Sequence, residues 1–260
     1  MRNYQLLPVF PIAAGIAGAI LRHFELLRAF EPDTGLAVPG HPLSAAMILL
    51  SMAAAAVLLL FTLKMRILPI KGGYREAFRI DGPALAAVLV ASCFLLLFYG
   101  ASEVVAFARD VPHLVSHLLL AGLIIWAGIS MLFTIQSSFR GGQREAFGLE
   151  TLVPVFFSCF WLILSYRDRA ADPVILDYIY ELLAIILFVL TLYFMAGFAF
   201  GKPKVHRVSF TAMLGVYFSI VTIADAHSLG KTAAFAGIAL YEAANAFILM
   251  KNIRFKSGQP

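Results

Sequence analysis

The sequence predicts an all-α, polytopic membrane helix bundle with about eight transmembrane helices. Of the 260 residues, 61% are hydrophobic and 13% are charged, whereas soluble domains average about 45–50% apolar and about 25% charged residues. The apolar residues also fall into long blocks whose charges lie at the block ends, and a membrane-spanning helix needs about 20 such residues. Solvation by lipid therefore explains the composition better than one soluble core.

The first two spans are predicted from apolar blocks on either side of a turn-rich loop. The first block ends at Arg22, whose long side chain is expected to reach the membrane interface. A cleaved signal peptide is the alternative, because Ala17-Gly18-Ala19 has the form of a cleavage site, but Pro8 and Pro11 interrupt the apolar region. We therefore predict two spans, at residues 5–22 and 42–63.

The remaining six spans are bounded by helix-breaking residues. Pro83, Pro112 and Pro173 come just before apolar blocks, and Gly201 comes just after one. The chain is thus predicted to be a single integral membrane domain over residues 1–260, without a Lys or Arg inside any span. The later spans are predicted at residues 82–105, 113–135, 151–166, 174–201, 207–226 and 232–250.

The loop charges predict an orientation and exclude one class of partner. Fourteen of the 20 Lys and Arg residues fall on the side of the termini, and the other six are Arg22, Arg28, Arg109, Arg167, Arg169 and Lys231. The positive-inside rule then places both termini in the cytoplasm. The protein is accordingly predicted to lie in the inner or plasma membrane. The net charge of +5 belongs to these loops, and no nucleic-acid-binding motif accompanies it.

A seven-residue motif occurs twice, at residues 72–78 and 141–147, with sequences GGYREAF and GGQREAF. Both copies precede a span on the predicted cytoplasmic side. A duplicated helix hairpin is one interpretation, since parallel repeats occur in transporters. Two independent basic turns at the membrane interface are the other, because the spans that follow show no matching sequence.

Histidines near the predicted outer side suggest a metal site. His113 and His117 are four residues apart, so that a helix places both on one face, and His227 follows a later span. Together with a carboxylate such as Asp225, they have the ligand types that zinc prefers. Hydrogen bonding to backbone or lipid headgroups is the alternative, since the spacing lacks the adjacent Glu of zinc proteases. Cys93 and Cys159 have no metal or redox spacing.

Acidic side chains inside or at the ends of spans suggest a pathway for a substrate or proton. Asp177 and Glu181 lie four apart on one helix face, where two like charges need a proton, a metal ion or an Arg such as Arg167 or Arg169. Glu103 and Asp225 each extend a polar stripe on another span.

Glu242 is the most unusual residue, because it lies at the middle of the last predicted span. A carboxyl group exposed to lipid at this depth would cost about 2.5–3.5 kcal/mol, so we expect it to face the bundle interior and to be neutral at pH 7. Asn245 follows on the same helix face and is expected to share its pocket.

Three hypotheses about function follow. In the first, the chain transports a small solute or ion through an outward-facing polar cavity lined by six residues, namely Glu103, His117, Asp177, Glu181, Asp225 and Glu242. In the second, it is a zinc-dependent hydrolase acting on amphipathic substrates at the outer interface. In the third, it is a sensor or accessory subunit whose basic inner face binds anionic lipid or a protein partner. No family motif was identified in the sequence.

Overall fold

The computed structural model describes residues 6–31, 34–68, 73–109, 115–140, 148–170 and 174–253. Within these ranges the chain is all-helical, and eight of its helices are long and apolar enough to cross a membrane, which confirms the predicted fold class. The helices are α1 (Val9–Arg28), α2 (Pro42–Lys64), α3 (Gly73–Ala77), α4 (Pro83–Arg109), α5 (Val115–Arg140), α6 (Gly148–Arg169), α7 (Ile175–Ala199), α8 (Val205–Thr222) and α9 (Leu229–Asn252).

Several helices end at positions that differ from the predicted span limits. The largest difference is in α1, which continues to Arg28, beyond the predicted span limit at Arg22 and in agreement with a helical extension before the turn-rich loop. The added residues are rich in Leu, Arg and Glu, which favour helix regardless of their polarity. α8 differs in the opposite direction, because it ends at Thr222 and leaves Asp225 in the turn before α9. The limits of an apolar block therefore do not coincide with the first and last residues of the helix that contains it.

Six of the spans, α4 to α9, form a closed ring in which each helix packs against the next and α9 packs back against α4. Successive spans run in opposite directions. The end of the bundle at which α1 ends and α9 begins is called the Arg22 end below, and the opposite end is called the Lys202 end.

Aromatic side chains fill the interior of this ring. The Trp161 ring on α6 lies 5.4 Å from the Tyr99 ring on α4 and 5.4 Å from the Phe235 ring on α9. Nearer the Lys202 end, the Phe188 and Tyr241 rings are in edge contact, with centroids 6.3 Å apart. All five of these side chains are buried, so packed aromatic rings fill the centre of the helix ring at this depth.

α1 and α2 lie outside the ring and pack against α8. Gly18 permits the close approach of α1, because a Cβ atom there would lie 2.7 Å from Val221 Cγ2 and 3.2 Å from Tyr217 Oη on α8. Small residues at such crossings are how membrane helices approach closely without a hydrophobic driving force. Tyr217 also forms a hydrogen bond with Ser51 on α2, at 3.0 Å.

The short helix α3 covers the Lys202 end of the ring. It comprises most of the first copy of the repeated motif, while the second copy lies outside the described residues. Tyr74, Ala77 and Phe78 are buried against α7 and α9. Asn252 at the end of α9 donates to the carbonyl oxygens of Ala77 and Arg79, at 3.0 and 2.9 Å. Two of these contacts are made to backbone atoms, so they hold α3 in place whatever its side chains.

Candidate functional site

A buried arginine organises the Arg22 end of the bundle. The Arg22 side chain is fully buried, and its Nε atom donates to Asp225 Oδ1 at 2.7 Å. Its Nη1 atom donates to Glu25 Oε2 at 2.9 Å, and its Nη2 atom donates to the carbonyl oxygen of Asp177 at 3.0 Å. The guanidinium carbon lies 4.9 Å from the centre of the Tyr180 ring. One cation thus connects α1, α7 and the turn after α8.

Arg22 was predicted to mark the end of the first span, and the structure instead buries its side chain within α1. α1 continues for six residues beyond Arg22, so this side chain lies more than one turn inside the helix. Glu25 is three residues further on the same face and supplies one of the two carboxylates. A guanidinium with two carboxylates and a carbonyl oxygen around it can remain charged away from water.

Asp177 and Glu181 on α7 are neutralised by two cations. Arg169 Nη1 donates to Asp177 Oδ2 at 3.1 Å, and Arg169 Nη2 lies 3.9 Å from Glu181 Oε2. Lys231 Nζ, at the start of α9, donates to Glu181 Oε1 at 3.2 Å. Of the two arginines suggested by the sequence, Arg167 instead donates to the Asp168 carboxylate at 3.3 Å. The acidic pair therefore belongs to an ion-pair network that includes Lys231, a residue that was not among its predicted partners.

The turn between α8 and α9 places two titratable groups beside this network. Burial raises the pKa of Asp225 to about 6, against the opposing effect of the Arg22 guanidinium. Burial also lowers the pKa of His227 below its usual value of 6.5. The two groups are close, with His227 Nε2 3.9 Å from Asp225 Oδ2, and neither atom has a hydrogen-bond partner among the described residues.

Asp225 should make the folded state less stable as the pH rises. Because its pKa is raised from 3.8 to about 6, its contribution to stability is complete below pH 4 and is lost as the pH passes 6, a change of roughly 3 kcal/mol. His227 acts in the opposite direction, since its contribution is present above pH 6.5 and lost at lower pH. We expect Asp225→Asn to remove the Asp225 component when the free energy of unfolding in detergent is measured from pH 4 to 7. Glu31→Gln, at an exposed acid, is the control, and an unchanged pH profile in Asp225→Asn would contradict the assignment.

His117 and His227, two of the three histidines of the predicted metal site, have different surroundings in the structure. His117 lies between two carboxylates, with Nδ1 2.8 Å from Glu103 Oε2 and Nε2 3.2 Å from Asp168 Oδ2. Neither ring nitrogen therefore points toward an open position for zinc. His227 is stacked on Phe235 instead, with ring centroids 5.4 Å apart. His113 lies outside the described residues, and within the described ranges no three His, Cys, Asp or Glu side chains form a group that could hold a metal ion.

Glu242 is fully buried among α7, α8 and α9. Its carboxyl group lies directly against Gly215 of α8, where an added Cβ atom would collide with both carboxyl oxygens. The Thr191 hydroxyl group of α7 interacts with the carboxyl group as a hydrogen-bonding neighbour. The contact lacks the geometry of a regular hydrogen bond, and neither carboxyl oxygen forms one with any described residue. Asn245 is also buried, and its amide donates to the Tyr241 carbonyl oxygen at 2.9 Å.

The six residues predicted to line one cavity fall into three groups. Glu103 and His117 lie together. Asp177, Glu181 and Asp225 lie at the Arg22 end, among the cations Arg22, Arg169 and Lys231, and this set of ion pairs is called the Arg22 network below. Glu242 is separate from both groups. Glu242 follows Lys231 by eleven residues, which places it about 16 Å further along α9. Asp177 does line a cavity of about 400 Å³, but that cavity lies between the start of α7 and the α1–α2 loop, beside Phe30 and Thr34.

Comparison of the chain with protein-family models, curated proteins and solved structures found no match. The function must therefore be argued from the geometry of the chain itself. Two features of that geometry are unusual for a membrane helix bundle, the buried network around Arg22 and the unpaired carboxyl group of Glu242. Charged side chains within spans are rare and normally functional.

Sequence reasoning missed four residues that shape these sites: Glu25, Lys231, Thr191 and Gly215. Glu25 could have been found, because an Arg and a Glu three residues apart on a continuing helix form a standard ion pair. Lys231 has no comparable local signal, since its partner Glu181 is 50 residues away. Thr191 and Gly215 likewise become significant only when the helices are packed together.

Proposed function

We propose that this protein is a membrane transporter for protons or small monovalent cations, in which the Glu242 carboxyl group binds the transported ion. The observation that carries this proposal is the buried and unpaired state of that group at the middle of a span. Buried polar atoms nearly always have a hydrogen-bond partner, and an exception in a native fold points to a missing water, ion or proton. A structural carboxyl group would be expected to bond to its neighbours.

The surroundings of Glu242 suit a small ion. The carboxyl oxygens fill the space that a side chain at position 215 would occupy, and the hydroxyl group of Thr191 is a further oxygen atom beside them. Oxygen atoms are the ligands that hard cations prefer. No ion pair joins Glu242 to a Lys or Arg in the described part of the chain, so a bound proton or cation would supply the missing positive charge.

A stripe of hydroxyl groups on α8 provides a path toward this site from the Arg22 end. Thr222 and Ser219 are fully buried, and neither hydroxyl oxygen has a hydrogen-bond partner among the described residues. They lie seven and four residues from Gly215, on the same face of the helix. Successive members of the stripe from Asp225 to Gly215 are thus about one helical turn apart, a spacing of roughly 5 Å that single water molecules can bridge.

Both ends of this path are closed in the structure. The Arg22 network joins α1, α7 and the α8–α9 turn at one end, and α3 covers the ring at the other. A transporter needs such an occluded state, with access given alternately to each side. In this proposal, opening of the Arg22 network admits the ion to the hydroxyl stripe and Glu242.

Flux through purified protein in liposomes tests the proposal. We expect protein-containing liposomes with an enclosed pH-sensitive dye to show proton flux under an imposed membrane potential, and radioactive sodium uptake to replace it if the ion is Na⁺. Glu242→Gln keeps the shape of the side chain but cannot exchange a proton, so it should lower the flux at least tenfold. Glu150→Gln, at the first turn of α6, should stay within twofold of the parent protein.

Two results would overturn the proposal. One is flux no higher than in protein-free liposomes for both protons and sodium. The other is a Glu242→Gln variant that folds and transports as the parent does.

A further inference from the structure

A second cavity lies at the opposite end of the bundle from the Arg22 network. It has a volume of about 200 Å³ and lies where the start of α6 meets the end of α7. Its apolar wall follows α7 from Tyr193 to Phe200, a distance of about 10 Å along the helix axis. Lys202 and Lys204, in the connection to α8, complete its rim.

Cations lie along the rim of this cavity. Lys202 and Lys204 are exposed, and Arg207 lies nearby with its guanidinium carbon 5.6 Å from the centre of the Phe194 ring, which lines the cavity. In the described part of the chain none of these three cations forms an ion pair with an acidic side chain. Elsewhere on the protein the exposed cation Lys251 does have such a partner, Asp81, at 3.3 Å.

The backbone fixes the position of this rim. Lys202 donates its backbone N–H to the carbonyl oxygen of Gly197 at 2.8 Å, so the connection folds back onto the end of α7. A Cβ atom at position 197 would lie 3.1 Å from the Lys202 carbonyl oxygen. The close approach of the loop therefore depends on glycine at that position. This backbone contact holds Lys202 at the edge of the apolar cavity.

We propose that this cavity binds an anionic phospholipid, with its phosphate group at Lys202 and Lys204 and the first part of an acyl chain along α7. The arrangement matches an amphiphile in both charge and polarity, because cations lie at the end of the span and apolar side chains extend into it. Tyr193 and Phe200 are each more than half exposed at this wall, so that lipid can enter sideways from the bilayer. Basic pockets between membrane helices bind acidic lipid headgroups by this combination.

The site is independent of ion transport through Glu242. It lies at the surface of the ring, whereas Glu242 is enclosed by α7, α8 and α9. The two proposals can therefore fail separately.

The test is retention of phosphatidylglycerol by the purified protein, compared with phosphatidylcholine of the same chain length, in native mass spectrometry and in thermal unfolding. We expect the parent protein to retain phosphatidylglycerol preferentially and to unfold at a higher temperature in its presence. Lys202→Gln combined with Lys204→Gln should lower the affinity roughly tenfold to thirtyfold, given the usual contribution of each cation near anionic lipid.

A matched variant separates a site from general surface charge. Lys64→Gln combined with Lys251→Gln removes the same charge at the same end of the bundle, at the ends of α2 and α9, and should leave the affinity within twofold. Equal losses in the two double variants would overturn the proposal, as would equal retention of the two lipids by the parent protein. Competition by soluble glycerol 3-phosphate as effective as that by the lipid would overturn it too, since a free phosphate site needs no acyl chain.

Discussion

Arg22→Met should destabilise the protein by about 3–5 kcal/mol, the cost observed when one partner of a buried ion pair is removed. The methionine fills much of the space but leaves the carboxylates of Glu25 and Asp225 buried without their cation. The free energy of unfolding in detergent at pH 7.5 measures the change. The matched control is Arg28→Met at the exposed end of the same helix, which should change stability by less than about 0.5 kcal/mol.

A triple variant distinguishes loss of charge balance from loss of packing. Arg22→Met combined with Glu25→Gln and Asp225→Asn removes all three charges together and should recover most of the stability, because a buried ion pair replaced as a unit is often neutral in cost. If Arg22→Met is no less stable than Arg28→Met, the guanidinium is not buried between these carboxylates in the membrane.

Glu242→Lys is the second substitution for which we expect a large loss of stability. The ammonium group would lie at the middle of the span without an acidic partner, at a cost of about 2.5–3.5 kcal/mol, and the longer side chain would press on the surface of α8 at Gly215. Glu242→Gln is nearly isosteric and should remain within about 1 kcal/mol of the parent protein. Thermal unfolding of the two variants in the same detergent gives the comparison.

The contrast between the two variants at position 242 also separates folding from transport. Glutamine should fold but fail to carry the ion, whereas lysine should fail at the earlier step. A Glu242→Lys protein as stable as Glu242→Gln would mean that the side chain at this position reaches water or lipid, contrary to the packing against Gly215.

The number of spanning helices and the burial of Glu242 could be predicted from the sequence because both depend on local properties. An apolar block of sufficient length has to span the membrane, and a carboxyl group at its middle has to avoid lipid. The same reasoning did not foresee the partners of Arg22, since it treats every charge as the boundary of a span. Whether an Arg marks the end of a span or lies inside it depends on partners such as Asp225, which is 203 residues away.

The grouping of the site residues could not be predicted for a related reason. Helical periodicity shows which residues share a face, as for Asp177 and Glu181, but not which helix that face meets. The order of helices around the ring decides that His117 meets Glu103 and Asp168, and that Glu242 meets Gly215. The position of α3 is also a tertiary property, because a helix of five residues has little stability of its own.

The two helices that bury the largest share of their residues, α8 and α9, also follow the other described spans in the chain and are synthesised after them. They carry Ser219, Thr222, Glu242 and Asn245 on surfaces that lipid would solvate poorly. Each of these helices packs against helices that are synthesised before it. α8 packs against α1, α2 and α7, and α9 packs against α4. We therefore expect α8 and α9 to insert stably only after the earlier helices are in the bilayer. A chain whose early helices fail to assemble would leave α8 and α9 as substrates for membrane quality control.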